Sequence, residues 1–308
     1  MYYFIVNPSS RGKKGIKLWQ IIENYLIVHN IEYSYYFTNP KVSVAEIINK
    51  IYKTNEQNKK IIILGGDGTI NDVVNGLTDE QLDNVSIGYI PTGSSNDFAR
   101  SLKIPSDPLT NLKQILSSEN HLCLDIGSLI FNDNNEIKYV VSSGVGYDGF
   151  ICKLANDSKT KSILNYIGLG KFVYLIKAVS ALFKTPFNNG TVTIDGKEVE
   201  TFEKLFFIIS MIHLYEGGGI NFAPGADPAD GLLSVCIAHG MSRPKLLIML
   251  LNVLTGTHIK FKGVELFKCS SIKVQLDKPW ILHTDGEVPG SFDSFEVSCL
   301  PKKLKLMI

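Results

Sequence analysis

The sequence predicts an α/β domain, a parallel sheet with covering helices, followed by a second domain of mainly antiparallel β-structure. Three observations carry that prediction. Short apolar runs alternate with helix-period segments through residues 1–120. Two of those runs end in glycine- and hydroxyl-rich turns, Gly65-Gly66-Asp67-Gly68-Thr69 and Pro91-Thr92-Gly93-Ser94-Ser95-Asn96-Asp97, each opening a helix. Beyond the link from Pro105 to Asn120, strand-like runs separated by turn signals replace the alternation.

Tyr3 to Asn7 reads as a buried strand ending in the polar turn Asn7-Pro8-Ser9-Ser10-Arg11-Gly12, after which Ile16, Trp19, Ile22, Leu26 and Ile27 recur at helical spacing. Tyr33 to Thr38 gives a second strand and Val44 to Tyr52 a second helix. Lys60 to Leu64 is the β-branched run of a strand buried on both faces, Ser86 to Ile90 is the next strand, and Leu109 to Leu116 forms a short helix. Ligands of such sheets sit beyond the carboxyl ends of the strands, so the turns starting at Asn7, Thr38 and Gly65 are expected along one edge.

A domain boundary falls near residue 120, giving units 1–120 and 121–299. Strands are expected in the second unit at Leu122 to Ile130, Ile137 to Ser142, Thr191 to Ile194, Leu205 to Met211, Leu232 to Ile237, Ser271 to Leu276 and Phe292 to Cys299. Asn132 to Asn135 and Asp195-Gly196 read as hairpin turns. Two helices, Ser162 to Phe183 and Lys245 to Val253, are apolar enough either to pack in the core or to meet a bilayer with snorkelling lysines.

Composition narrows the function classes. A chain of 308 residues with 44% hydrophobic content supports two sizeable cores. Its 31 Lys and Arg nearly balance 30 Asp and Glu, which argues against a dedicated nucleic-acid binder. The cysteines at 123, 152, 236, 269 and 299 form no C-x-x-C pair and the six histidines no ligand spacing, so no zinc or redox motif is visible and a reduced, cytoplasmic setting fits best. The N-terminus reads as a strand rather than a signal peptide, and no transmembrane helix is expected.

Walker A, G-x-G-x-x-G after the first strand, serine-hydrolase elbow and H-E-x-x-H patterns are all missing. What remains is glycine-rich and acidic. A glycine turn at a helix N-terminus brings backbone amides and a positive dipole to an anion, although a plain turn has the same composition. Asp67, Asp97, Asp125, Asp227, Asp230, Asp285 and Glu287 add hard oxygen donors of the kind that accompany magnesium and phosphates. Phe222, Met211 and Tyr215 are candidates for an apolar substrate pocket.

The GGDGT turn, the segment from Pro91 to Arg100 and the distal Asp285-Gly286-Glu287 together resemble the diacylglycerol kinase catalytic family, in particular bacterial soluble lipid kinases related to sphingosine kinases. The resemblance implies a phosphofructokinase-like nucleotide domain, a β-sandwich lipid domain, and a cleft between them. It also implies that residues 300–308 return to the first domain. ATP would be contacted by Asn7, Pro8, Ser9, Ser10, Arg11, Thr38, Gly65, Gly66, Asp67, Gly68, Thr69, Asn71, Thr92, Gly93 and Ser94, with Asn96 and Asp97 in the same turn. Ser94 stands where many relatives have threonine, and the hydroxyl is kept. Glu287 would be the general base with Asp285 beside it, Asp67 would serve the catalytic loop, and Asp227, Asp230 and Leu232 would form a structural magnesium site.

The expected reaction is transfer of the γ-phosphoryl group of ATP, with Mg2+, to the hydroxyl of diacylglycerol or a related lipid at the inner face of the membrane. Two other readings stay open: a kinase of a soluble acceptor such as NAD, and a non-catalytic protein that binds nucleotide and lipid. The oligomeric state is open too, a homodimer included.

Overall fold

A computed structural model describes residues 1–54, 58–132, 135–156 and 179–308. The first domain is a parallel sheet of β1 (Tyr2–Val6), β2 (Tyr33–Phe37), β3 (Lys60–Gly65) and β4 (Ser86–Pro91), in the order β2-β1-β3-β4. Successive residues of β1 serve opposite faces: Tyr3 and Ile5 enter one core, Phe4 and Val6 the other. Helix α1 (Ser10–Val28) covers the second face through Trp19, Ile22 and Leu26. Helices α2 (Val44–Tyr52) and α3 (Asp67–Gly76) cover the first through Ile47, Ile48, Ile51, Ile70, Val73 and Val74. Because β1 lies between β2 and β3, the chain leaves β1 and β3 in opposite directions, and the crevice between their carboxyl ends is where such sheets bind ligands. Asn7 follows β1, and Gly65 ends β3.

After α4 (Asp79–Asn84), α5 (Asp97–Ser101) and α6 (Pro108–Ser117), the second domain begins with β5 (His121–Phe131), β6 (Asn135–Tyr139) and β7 (Ser142–Gly146). It continues through α7 (Tyr147–Asn156), β8 (Asn188–Ile194), β9 (Glu198–Leu205), β10 (Phe207–Met211) and β11 (Leu233–Ala238). Helix α8 (Arg243–Val253), β12 (Val264–Cys269), β13 (Ser271–Thr284) and β14 (Glu287–Met307) complete it. All pairings inside this domain are antiparallel. Alternate residues of β10 and β11 face opposite ways: Ile208, Val235 and Ile237 enter the core between β-layers, while Phe207, Ile209, Cys236 and Ala238 pack against α7 and α8. The whole is a β-sandwich with helices on one outer face.

The two domains share strands. β14 runs from the sandwich into the first domain, where Leu306 pairs in parallel with Ile87 of β4 and in antiparallel with Leu122 of β5. Leu304 and Leu306 are fully buried in the first domain's core.

Several elements differ from expectation for local reasons. The run from Ile137 to Ser142 divides into β6 and β7. β9 and β12 are edge strands with one partner each, so exposed Glu200, Glu203 and Glu265 are tolerated there and mask a strand pattern. α4 is set by a capping box between Thr78 and Gln81. Asp195 and Gly196, with φ of 48° and 67°, turn the chain inside the three-residue connection from Ile194 to Glu198, closed by the Lys197 amide donating to the Ile194 carbonyl at 3.0 Å. The expected helix from Ser162 to Phe183 lies almost wholly outside the described residues. Among the described residues, no helix is long and apolar enough to cross a membrane.

Truncating the shared strand should weaken the first domain. Leu306→Ala is expected to cost about 2–5 kcal/mol of unfolding free energy, the usual cavity cost of a buried leucine. Urea denaturation followed by tryptophan fluorescence measures it, since Trp19 and Trp280 report on a core in each domain.

Candidate functional site

The two glycine turns are packed backbone to backbone. A Cβ on Gly93 would lie 2.6 Å from the Gly66 Cα, and one on Gly66 would lie 3.0 Å from the Gly93 Cα. The Thr92 amide donates to the Gly65 carbonyl at 2.7 Å, and the Ser10 and Thr92 hydroxyls are hydrogen-bonded at 2.9 Å. The Asn7 side-chain amide donates to Thr69 Oγ1 at 3.3 Å, which brings the β1 turn to the same edge. Asn96, left-handed at φ 52°, closes its own turn by accepting from the Gly93 amide at 2.8 Å.

Asp67 ties the turns together. Its Oδ2 accepts from the Asp97 amide at 3.0 Å and its Oδ1 from the Phe98 amide at 3.3 Å, so it caps α5 from outside. Burial pushes its carboxyl up to about 6, against the lowering effect of those amides. The first turn of α3, Asp67-Gly68-Thr69, lines the cleft, so the leading amides of that helix front the cleft. Gly68 has no packing reason to be glycine, since an added Cβ would meet nothing within 4 Å. What its hydrogen leaves free is room for a ligand to approach the backbone.

Asp97 and Asp285 join the domains. Asp97 Oδ2 accepts from the Gly218 amide at 2.7 Å, and its other oxygen pairs with Arg100. Asp285, left-handed at φ 46°, accepts four hydrogen bonds: from the amides of Val140, Val141 and Ser142 at 2.7–2.9 Å and from the Asn71 side chain at 2.6 Å. Burial raises the carboxyl of each, and those donors oppose the shift.

A cleft of about 640 Å³ runs between the domains. Besides the glycine turns, its lining includes an acidic and histidine-bearing group, Asp148, Cys152, Glu216 and His283, and the apolar side chains Tyr147, Ile151, Ile220, Phe222, Leu250, Val253 and Leu254. His283 Nε2 is hydrogen-bonded to Asp148 Oδ2. Burial alone would lower the imidazole's pKa, but the adjoining Asp148 carboxylate leaves it well above the ordinary histidine value. Glu216 is held well above the ordinary carboxyl range by burial and by the charge of Asp148.

Comparison with known proteins accords with this geometry. Residues 1–128 match the family model described as the diacylglycerol kinase catalytic domain, and residues 140–308 match the YegS C-terminal NAD kinase beta sandwich-like domain. The diacylglycerol kinase of Bacillus subtilis (strain 168) is 30% identical over 239 residues, 75% of this chain and 73% of that protein. The chain belongs to the diacylglycerol kinase catalytic-domain family. A second family member from the same organism, YtlR, which carries a provisional lipid-kinase name, is 29% identical over 314 residues, 99% of this chain and 98% of its own. Among solved structures, a diacylglycerol kinase from Bacillus anthracis str. Sterne superposes with a TM-score of 0.69 at 18% identity, covering 99% of this chain and 96% of that one. An NAD kinase from Archaeoglobus fulgidus in complex with ATP gives 0.53 at 15% identity, covering 99% and 92%.

Of the residues the family resemblance selects, Asn7, Ser10, Arg11, Gly66, Asp67, Gly68, Thr69, Gly93, Ser94, Asp97 and Asp285 line the cleft. Gly65, Asn71, Thr92 and Asn96 stand behind that lining and hold it: a Cβ on Gly65 would strike the Thr69 side chain at 2.4 Å. Pro8, Ser9 and Thr38 are outside the lining, and the Thr38 amide is hydrogen-bonded to Val6 at the β1–β2 edge. Glu287 is exposed at the start of β14, one residue beyond the lining, and raises the carboxyl of Asp72 in addition to the effect of burial there. Asp72 and Ser95, which line the cleft, were not selected from the sequence.

Phe222 lines the apolar part, whereas Met211 is in the core and Tyr215 is outside the lining. Asp227 and Asp230 sit on a loop held by Asp125, which accepts from the Gly231 amide at 2.6 Å and the Lys302 amide at 2.8 Å. Asp230 Oδ2 is paired with the Lys268 ammonium and Oδ1 accepts from the Leu232 amide, while Asp227 Oδ1 accepts from the Ala229 amide. Lys268 supplies the positive charge beside Asp230 in this structure.

Two outcomes follow from the turns. Gly68→Ala should leave the fold intact, with a gain of about 0.5–1 kcal/mol from helix propensity, yet weaken nucleotide binding by about tenfold or more, about 1.4 kcal/mol. Calorimetric titration with ATP beside thermal unfolding separates the two effects. For Asp67, the folded value near 6 lies above the ordinary carboxyl value of 3.8. The native state holds that proton more tightly, so the associated stability is full below pH 4 and is lost as pH rises through about 6, on the order of 3 kcal/mol. Asp67→Asn should flatten the denaturation profile across that window. An unchanged slope would contradict the assignment.

Proposed function

We propose that the protein is an ATP-dependent lipid kinase that transfers the γ-phosphoryl group to the hydroxyl of diacylglycerol or a related lipid, working from the cytoplasmic side at the membrane surface. The observation that carries this reading is a single cleft with glycine turns and helix amides in one part of its wall and seven apolar or aromatic side chains in another. A triphosphate suits the first part and an acyl chain the second. A soluble acceptor such as NAD leaves the apolar wall without a use, and membership of the diacylglycerol kinase family supports the lipid.

Phosphoryl transfer depends on positioning and charge neutralisation more than on covalent chemistry. The first turn of α3 and the Thr92–Ser94 turn receive the phosphates, with Asn7, Ser10 and Arg11 from the β1 turn alongside. Magnesium, arriving with the nucleotide, supplies charge neutralisation when bound. Among the carboxylates around the glycine turns, Asp72 is the one left to meet it: among the described residues no hydrogen bond engages its side chain, whereas Asp67, Asp97 and Asp285 are committed to amides.

Glu287 takes the acceptor's proton. Its carboxylate is exposed and among the described residues has no hydrogen-bond partner, and it follows Gly286, which lines the cleft. Asp285 holds that turn through hydrogen bonds from fixed donors.

Phosphate transfer from ATP in mixed micelles tests the proposal, over a panel of diacylglycerol, phosphatidylglycerol, an isoprenoid alcohol and a sphingoid base, with products identified by mass spectrometry. One of these lipids should be phosphorylated. Glu287→Ala should lower kcat by about 10²–10⁴-fold, the usual share of a general base, while retaining ATP affinity. NADP formation without any lipid product would instead establish the soluble-acceptor reading.

A further inference from the structure

We propose that Asp148, Cys152 and His283, backed by Glu216, form a binding site for a zinc-class divalent transition cation within the cleft. Asp148 and Cys152 are four apart on α7 and so share one helix face, and His283 approaches from β13. One ligand atom from each lies within 4.8 Å of the others. Imidazole, thiolate and carboxylate together select zinc and its neighbours over magnesium or calcium, which take oxygen donors.

Two further observations point to a ligand. A Cβ on Gly144, which pairs with His283 across β7 and β13, would lie 2.4 Å from Asp148 Oδ2 and 2.8 Å from His283 Nε2, so only glycine leaves this space open. Glu216 lines the same cleft at 7% exposure, and its Oε2 is buried without a hydrogen-bond partner. An unpartnered carboxyl oxygen in such a place is costly unless something meets it.

The protons balance without any redox partner. The cation replaces the Nε2 proton that His283 shares with Asp148, leaving the neutral ring with its proton on Nδ1. The Gly286 amide stands 3.4 Å from Nδ1, a long contact that costs little to lose. Cys152 gives up its thiol proton, so at least one proton passes to solvent for each cation bound, and affinity rises with pH.

The site is independent of the kinase reading, because its readout is binding alone. Metal-free full-length protein is titrated with Zn2+ against a chromophoric chelator, and with Co2+ as a spectroscopic probe. The expected result is one equivalent of zinc, a cobalt–thiolate charge-transfer band, and protection of Cys152 from alkylation when zinc is bound, mapped by peptide mass spectrometry. Cys152→Ala should abolish the band and weaken zinc binding by more than about tenfold. Gly144→Ala, which keeps every ligand but fills the space, should weaken it likewise, and Cys123→Ala should change nothing. Folded wild-type protein that takes up no zinc, a band that survives Cys152→Ala, or alkylation of Cys152 at the same rate with and without zinc would overturn the assignment.

Discussion

A carboxylate with four fixed donors sets the geometry of this molecule. Asp285 lies on the β13–β14 turn of the sandwich, yet its hydrogen bonds come from the Val140–Ser142 link and from Asn71 on α3 of the first domain. Taking a carboxylate out of water without such donors costs several kcal/mol, so the turn is held where all of them converge. That convergence fixes how far the sandwich stands from the glycine turns. Asp97 repeats the device from the other side, its carboxylate accepting from the Gly218 amide. The cleft is thus spanned by carboxylates of each domain bound to amides of the other.

The first domain was largely legible in the sequence, because what defines it is local. Strand, glycine turn and helix follow each other in one unbroken stretch at Lys60–Gly76, and the physics of that arrangement needs no distant partner. The edge strands β9 and β12 were not legible, since solvent on one side permits glutamates that blur the alternation. For the site, residue types were easier to read than roles. Asp67 and Asp285 stand at the cleft, but as amide acceptors, a fact that depends on α5 and on the β6–β7 link. The group around His283 was invisible for a plainer reason: its members come from α7, the loop after β10, and β13. No spacing in one segment records such a meeting. The one local trace is Asp148 and Cys152 at helical separation, which by itself is ordinary.

Electrostatically the cleft is unusual for a chain whose charges nearly cancel. Burial raises the carboxyls of Asp67, Asp72, Asp97, Asp285 and Glu216. A polyanion entering here would need cations to accompany it, and Arg11 is the one basic residue other than His283 among the lining residues. Phosphate binding would therefore rest on backbone amides and on metal ions more than on lysine or arginine side chains, which explains the demand for two close-packed glycine turns.

The shared strand β14 has a consequence for how the protein is made. Its residues Leu304 and Leu306 fill the core of the domain whose other strands lie in the first part of the chain. On a ribosome, that first part emerges long before the strand that completes it. The N-terminal domain must wait, its β4 edge open, until synthesis has passed β14. Its folding is therefore coupled to synthesis of the sandwich rather than proceeding bead by bead, and the open β4 edge is the surface a nascent chain has most need to shield.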